Sequence, residues 1–592
     1  MSKHQDSPSS HQKPRLGVAY FPEHWDPRRW AIDARLMAEA GLKTVRMGEF
    51  AWCKMESREG EYHWGWLDEV VGILAAEGLE IILCTPTACP PAWAIEKWPD
   101  LLPHTKPGEI KPSGARRHYT PFHEGYRSAC RAIAREMASH YGKHPAVTAF
   151  QIDNELGGGV EDTGPLAQKA FQEWLAQKYE TPEQLNQALG LIFWGNEVNA
   201  WSQIPVPVGR GQNPGLRVAW REFWSDGWIA FCREQAEVMR PLIGSRRLTT
   251  NCFLHRWEMK VDWHKLVQEG GIDVFSFDNY SLDTGENLYY NRLARSLRDP
   301  YWILEQNCGN TMHHHRWPEK EEPFEKLTHQ AVSEGAEIVS FFRWRQGLFG
   351  LEQEHAAVLD HHGRPGEIYR RMQKLAGEIN QIPSPPTGRE TDIGIVFDWP
   401  SAWLAGHSPR SIDYSDLMRE RVFQALHGSG LQAEFLHRPP SGKPPRFLLL
   451  PLLIRHDPEW EKFLEDYVNN GGIAIAFPLF FAKNANNQYR EEGMGKKMEA
   501  LFGVQMEKRI LIGEEYPLRT EGLSAKGCWG IRQEIFSLNG AHSGVIFGNG
   551  PHPGSPAWTC HPQGRGHAIQ LTAYPDAIGL EECLQALRSF SF

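Results

Sequence analysis

No stretch of this sequence stays apolar for the roughly 20 residues that a membrane-spanning helix needs, and residues 1–15 are polar, without the apolar core of a secretory signal. That start reads as a loose tail. Cysteine is present but unpatterned: Cys53, Cys84, Cys89, Cys130, Cys232, Cys252, Cys308, Cys528, Cys560 and Cys583 are scattered, with no close pair of the kind a zinc ribbon or dithiol motif requires. They read as reduced, packed thiols, and with the missing membrane and export signals they predict a cytoplasmic protein that makes no use of a membrane. A basic excess is also lacking, since 63 Lys and Arg stand against 73 Asp and Glu, a net charge of -10. Nucleic acid is thereby excluded as a partner, because phosphate binding needs a concentrated basic face, and a neutral substrate is favoured. Heptads, long low-complexity tracts and internal repeats beyond a β-α rhythm are absent too.

Tryptophan, by contrast, is abundant, with 23 in 592 residues. Its flat face suits the C–H face of a sugar, although filling a large core accounts for much of that number. The chain is too long for one ordinary domain of roughly 100–200 residues, and two are expected.

From Leu16 onward, short β-branched and aromatic runs alternate with amphipathic stretches, the pattern of β-α units over a parallel sheet. Strands are predicted at 16–22, 44–50, 80–86, 147–153, 248–253, 273–280, 301–307 and 337–344. Helices are predicted between them, as at 27–40, where Trp30 and Met37 share a face, and at 64–78, where Leu67, Val70, Val71 and Leu74 do. Eight units close a (β/α)8 TIM barrel, placed at 16–382, whose active site should lie at the C-terminal ends of the strands. The insertion 154–247 is expected to decorate that rim. Pro383-Ser384-Pro385-Pro386-Thr387-Gly388 ends the barrel. Strands near 392–398, 446–453, 473–479 and 567–574, with helices at 457–470 and 577–590, then predict a smaller doubly wound α/β domain over 389–592.

Two carboxyls sit at strand ends. Glu155 follows the fourth strand in Asp153-Asn154-Glu155-Leu156-Gly157-Gly158, and Glu305 lies in the seventh. One acid that protonates a leaving oxygen and one that attacks an anomeric carbon, about 5–5.5 Å apart, are what retaining hydrolysis of a glycosidic bond requires. An ionised Glu305 would favour the protonated form of Glu155 until the sugar is transferred, after which Glu155 would serve as base. That chemistry calls for no metal and no cofactor.

The stretches Gly17 to Trp25 (GVAYFPEHW), Gly48 to Trp52 (GEFAW), Thr85 to Trp93 (TPTACPPAW), Arg116 to Tyr119 (RRHY), Gly335 to Gln346 (GAEIVSFFRWRQ) and Glu352-Gln353-Glu354-His355 occur in this order. They resemble glycoside hydrolase family 42, a β-galactosidase family of clan A. The resemblance implies a retaining β-galactosidase, with Glu155 as acid/base and Glu305 as nucleophile. It further implies that Arg117 and Asn154 bond the sugar and the nucleophile, that Tyr280 orients Glu305, that Phe342 forms an apolar wall, and that Glu352 and His355 hold outer hydroxyls. Trp317 would stack on the sugar. A non-catalytic trimerisation module like a glutamine amidotransferase fold, a homotrimer whose neighbours help wall the active sites, and a β-galactoside or oligosaccharide substrate are implied as well.

Three departures from that pattern are visible. Thr120 stands where the family's first zinc-binding cysteine would be, and Glu161 to Ala170 holds no cysteine, so no structural zinc is expected. The loop Asn307 to Trp317 (NCGNTMHHHRW) differs from the usual one; its consecutive His313, His314 and His315 do not suit a single ion. The family's C-terminal β domain is expected to be missing. Two other readings fit the same residues: a sister pyranosidase acting on α-L-arabinopyranosides or β-D-fucosides, and an inactive sugar-binding protein on the same scaffold.

Overall fold

The structure, a computed structural model, describes residues 12–106, 108–159, 161–254, 259–309, 323–383, 391–408, 411–513, 518–521 and 527–589. The predicted tail up to residue 11, the His313–His315 run, Trp317 and the core of the Pro-rich boundary lie outside them. Two compact units emerge, one of residues 1–174, 204–206 and 222–387, the other of 175–203, 207–221 and 388–592.

Eight parallel strands form the first unit: β1 (Arg15–Ala19), β2 (Thr44–Met47), β3 (Glu80–Cys84), β4 (Val147–Gln151), β5 (Arg247–Thr249), β6 (Phe275–Asn279), β7 (Tyr301–Gln306) and β8 (Ala336–Phe341). Each lies beside the next in sequence, in the order β6-β7-β8-β1-β2-β3-β4-β5. The ends of that order meet through a parallel bridge between Phe253 and Asp278 and a 2.9 Å bond from the Asp278 N–H to the Cys252 carbonyl. A barrel results, and its strands are buried along nearly their whole length, as strands covered on both faces must be. Around it, α1 (Pro27–Glu39) starts where the Asp26 side chain accepts from the Arg28 N–H, with Pro27 in the first turn, and it buries Trp30, Ala34 and Met37.

At the strands' N-terminal ends the Glu337 carboxylate accepts from both terminal nitrogens of Arg247 (2.7 and 2.9 Å) and from the Trp302 indole N–H (2.8 Å). Burial would raise the Glu337 carboxyl, but these donors and the charges of Arg247 and Arg15 hold it below the usual carboxylate range. Glu337→Ala strands the Arg247 charge and is expected to cost about 2–4 kcal/mol of stability by denaturant titration at neutral pH. Because the folded-state pKa is lowered, that contribution is complete above the ordinary glutamate range and fades as the pH falls through the lowered value. The gap between wild type and variant should therefore narrow in acid.

In the second unit, β9 (Ile393–Val396), β10 (Ala433–Leu436), β11 (Phe447–Leu450), β12 (Ile473–Ala476) and β17 (Gly566–Leu571) pair in parallel in the order β10-β9-β11-β12-β17. Antiparallel β16 (Trp558–Gln563) and β15 (His542–Ser543) extend that sheet. A separate antiparallel sheet holds β13 (Val504–Leu511), β14 (Trp529–Leu538) and β18 (Ala573–Pro575). The unit is doubly wound with added β structure.

The insertion does not simply decorate the barrel rim. Residues 175–203 and 207–221 belong to the second unit. There the Tyr179 hydroxyl donates to Asn486 Oδ1 (2.9 Å), and Gly215 lies so close to the Asn486 carbonyl that a Cβ would come within 2.5 Å of it.

Candidate active site

The Glu155 turn is tightly determined. Asp153 and Glu155 both take left-handed backbone conformations (φ 59° and 51°), which cost non-glycine residues energy and persist only where surroundings fix them. Asp153 is fixed by Thr87 Oγ1 (2.7 Å) and the Tyr119 hydroxyl (3.1 Å), which donate to its carboxylate, while its own N–H donates to Thr85 Oγ1 (2.9 Å). Gly157 has φ 77°, and a Cβ there would meet Val261 Cγ2 at 2.4 Å, so the turn away from the barrel requires glycine.

Glu305 reaches the same place from β7. A register shift between Phe277 and Asp278 skips Leu304 and sets Asp278 of β6 directly beside Glu305. Such bulges re-aim side chains. One carboxylate oxygen from each of Glu155, Asp278 and Glu305 lies within 4.8 Å of the others, and all three residues are buried. The two glutamates thus share one site.

Arg46, fully buried on β2, anchors Glu305 among the polar groups around it. Its Nη1 lies 3.0 Å from Glu305 Oε1 and 3.0 Å from Glu49 Oε1, its Nε donates to Gln151 Oε1 (2.6 Å), and its Nη2 donates to Asn154 Oδ1. The other Glu305 oxygen accepts from the Tyr280 hydroxyl at 2.7 Å. Burial, then the charges of Glu305 and Asp278, push that hydroxyl well above its usual range, so it stays a donor at any working pH. Tyr280→Phe removes a charge-assisted bond, and kcat is expected to fall about 10- to 100-fold in steady-state assays with thermal stability little changed.

Burial, and then Glu305, push the Asp278 carboxyl well above the carboxylate range, against Arg46 and Asn251. Burial likewise raises Glu49, with Arg46 opposing it. Arg117 and Arg116 both contact Glu155 Oε2, the latter at 3.3 Å. Among the described residues, Glu155, Asp278 and Glu305 form the group of acidic, His or Cys side chains close enough to hold a cation. In that group Arg46 stands against Glu305 and Arg117 against Glu155.

Sequence and fold agree with known proteins over most of the chain. Residues 19–382 match the family described as Beta-galactosidase, glycoside hydrolase family 42, and residues 391–589 match the Beta-galactosidase trimerisation domain. The chain belongs to glycoside hydrolase family 42. A β-galactosidase of Thermus thermophilus is 35% identical over 520 residues, covering 83% of this chain and 79% of that protein. The solved β-galactosidase of Rahnella sp. R3 superposes with a TM-score of 0.89 at 25% identity over 98% of this chain and 89% of its own. That of the psychrophilic Marinomonas ef1 gives 0.85 at 29% identity, over 97% and 91%.

Phe342 and His355 lie beside Tyr280, the residue that bonds Glu305. Phe342 packs with Phe21, edge-on at 6.0 Å, and with Ala19, Phe50 and Tyr280 in an apolar patch. The buried His355 ring stands 4.9 Å from Phe342 and 5.9 Å from Tyr280. Glu352 accepts from Arg343 through its carboxylate (3.3 Å) and its backbone carbonyl (2.9 Å). Asn154 Nδ2 has no protein partner among the described residues although it is buried. Arg46, Gln151, Asn251 and Asp278 were not among the expected site residues. For Arg46, Gln151 and Asp278 the signal is a polar residue inside a barrel strand, where alternation puts it on one face with its neighbours at i±2.

Proposed function

We propose that the protein is a retaining β-galactosidase that releases terminal non-reducing β-D-galactosyl residues through a covalent glycosyl-enzyme. The observation that carries this reading is the closeness of Glu155 and Glu305, which bring one carboxylate oxygen each to within 4.8 Å of the other in one buried site. That closeness suits the roughly 5–5.5 Å between the carboxyls of a retaining pair better than the roughly 6.5–9.5 Å of an inverting one.

In the first step Glu305, oriented by Arg46 and Tyr280, attacks the anomeric carbon as Glu155 protonates the departing oxygen. In the second, Glu155 takes a proton from water, which attacks the same carbon and releases the sugar with its β configuration restored. Carboxyls and water supply all of this chemistry. The unpartnered Asn154 Nδ2 serves a sugar hydroxyl, the Phe342 patch receives the ring's apolar face, and Glu352 and His355 meet the outer hydroxyls. A buried polar group left without its hydroxyl penalises the wrong epimer.

A panel of p-nitrophenyl glycosides tests the specificity. The β-D-galactoside is expected to exceed the β-D-glucoside in kcat/KM by about 100-fold or more. A glucoside equal to or better than the galactoside overturns the assignment, and the α-L-arabinopyranoside and β-D-fucoside arms measure how much the C6 hydroxymethyl group contributes. The match of residues 391–589 to a trimerisation domain supports a homotrimer, which light scattering in solution would test.

A further inference from the structure

Glu155 occupies a backbone conformation that a glutamate does not take unaided, and the contacts that hold it there come largely from one residue. Asn251, just beyond β5, is fully buried. Its backbone carbonyl accepts from the Leu156 N–H at 3.0 Å, and its side-chain Oδ1 accepts from the Glu155 N–H at 2.8 Å. Two consecutive amides of the strained turn therefore end on Asn251.

The side-chain amide has a fixed sense. Oδ1 also accepts from Gln151 Nε2 (2.8 Å), while Nδ2 donates to both Asp278 oxygens (3.0 and 2.8 Å) and to Asn154 Oδ1 (3.1 Å). A flipped amide would set its NH2 against the N–H groups of Glu155 and Gln151 and its oxygen against Asn154 Oδ1, which also accepts from Arg46 Nη2. Asp278, beside Glu305 through the β6–β7 register shift, thus keys the orientation in which Asn251 grips Glu155. The same side chain connects the strand next to one carboxyl with the turn that carries the other.

We infer that Asn251 is a positioning residue of the glycosidase reaction, which, keyed by Asp278, seats Glu155 for proton transfer to and from the glycosidic oxygen. The inference rests on the reading of Glu155 as acid/base. It assigns Asn251 no contact with substrate and no direct bond to Glu305, whose carboxylate is held by Arg46 and Tyr280.

The consequence is a dependence on the leaving group. A 2,4-dinitrophenolate departs without protonation, whereas an alkoxide does not, and kcat/KM reports only the glycosylation step. In Asn251→Ala, kcat/KM for methyl β-D-galactoside is expected to fall about 30-fold or more, a large part of the worth of a positioned general acid. For 2,4-dinitrophenyl β-D-galactoside it should fall less than about 5-fold, because the nucleophile's supports are intact. Asn251→Asp keeps an acceptor for the Glu155 N–H but sets an oxygen where Nδ2 met Asp278 and Asn154 Oδ1, so it should show the same leaving-group split, with the larger loss on the methyl galactoside.

Equal losses on both substrates in Asn251→Ala would overturn the inference. Should the alanine variant fail to fold, the aspartate variant decides: a methyl-galactoside loss at least 5-fold larger than its dinitrophenyl loss supports it, and equal losses refute it. Glu155→Ala assayed in parallel separates the two layers. If that variant shows no leaving-group split, the acid/base reading fails; if it does and Asn251→Ala does not, only the role of Asn251 falls.

Discussion

Glu305→Ala is expected to lower kcat on β-galactosides by about 10^5-fold or more, the scale on which an enzyme loses its covalent nucleophile. The loss has two parts. No group remains to attack the anomeric carbon, and the small side chain leaves Arg46 Nη1 and the Tyr280 hydroxyl facing a space in place of a carboxylate. That space admits a small anion. Sodium azide should restore turnover of a dinitrophenyl galactoside, and because azide attacks from the side Glu305 occupied and nothing follows, the product should be α-galactosyl azide. NMR of the product checks the configuration; a β-azide or an absence of rescue contradicts the assignment.

Glu155→Ala is the second large effect and has a different signature. Activity on poorly activated galactosides should fall by about 10^2–10^4-fold, the usual worth of a general acid. On the dinitrophenyl galactoside, glycosylation should proceed and hydrolysis of the intermediate should stall, giving a burst followed by slow turnover. Azide should again accelerate release, this time yielding the β-azide, since it replaces the water that Glu155 would have activated. Opposite azide configurations from the two variants would assign the two carboxyls to opposite sides of one linkage.

Why the sequence reveals so much of this site, and where it stops, follows from the residues themselves. All eight barrel strands lie where apolar β-branched runs place them, because strands buried on both faces must be written as continuous apolar stretches. Glu155 and Glu305 were legible for the opposite reason: each is a charge at the end of such a run. Arg46, Asn251 and Asp278 were harder. Arg46 sits inside Thr44-Val45-Arg46-Met47, and a single charge in a strand reads as an exception until the barrel shows four acceptors around it.

Asp278 needed the register shift that skips Leu304, and Asn251 needed the end of regular pairing after Thr249. Neither irregularity leaves a mark in composition or periodicity. In the second unit, β13 escaped notice because it is exposed or half-buried over most of its length with Glu507, Lys508 and Arg509 in a row, and β14 because Arg532, Gln533 and Glu534 interrupt its apolar run. The contribution of 175–203 and 207–221 to that unit depends on contacts between positions roughly 300 residues apart, such as Tyr179 with Asn486.

The central claim is that one of three neighbouring buried carboxyls becomes covalently bonded to the sugar. Labelling the enzyme with 2,4-dinitrophenyl 2-deoxy-2-fluoro-β-D-galactoside, then locating the added fluorogalactosyl mass by peptide sequencing, tests it directly. The account predicts one label per active site, on Glu305. A label on Asp278 or Glu155, or full inactivation without any covalent adduct, would contradict it.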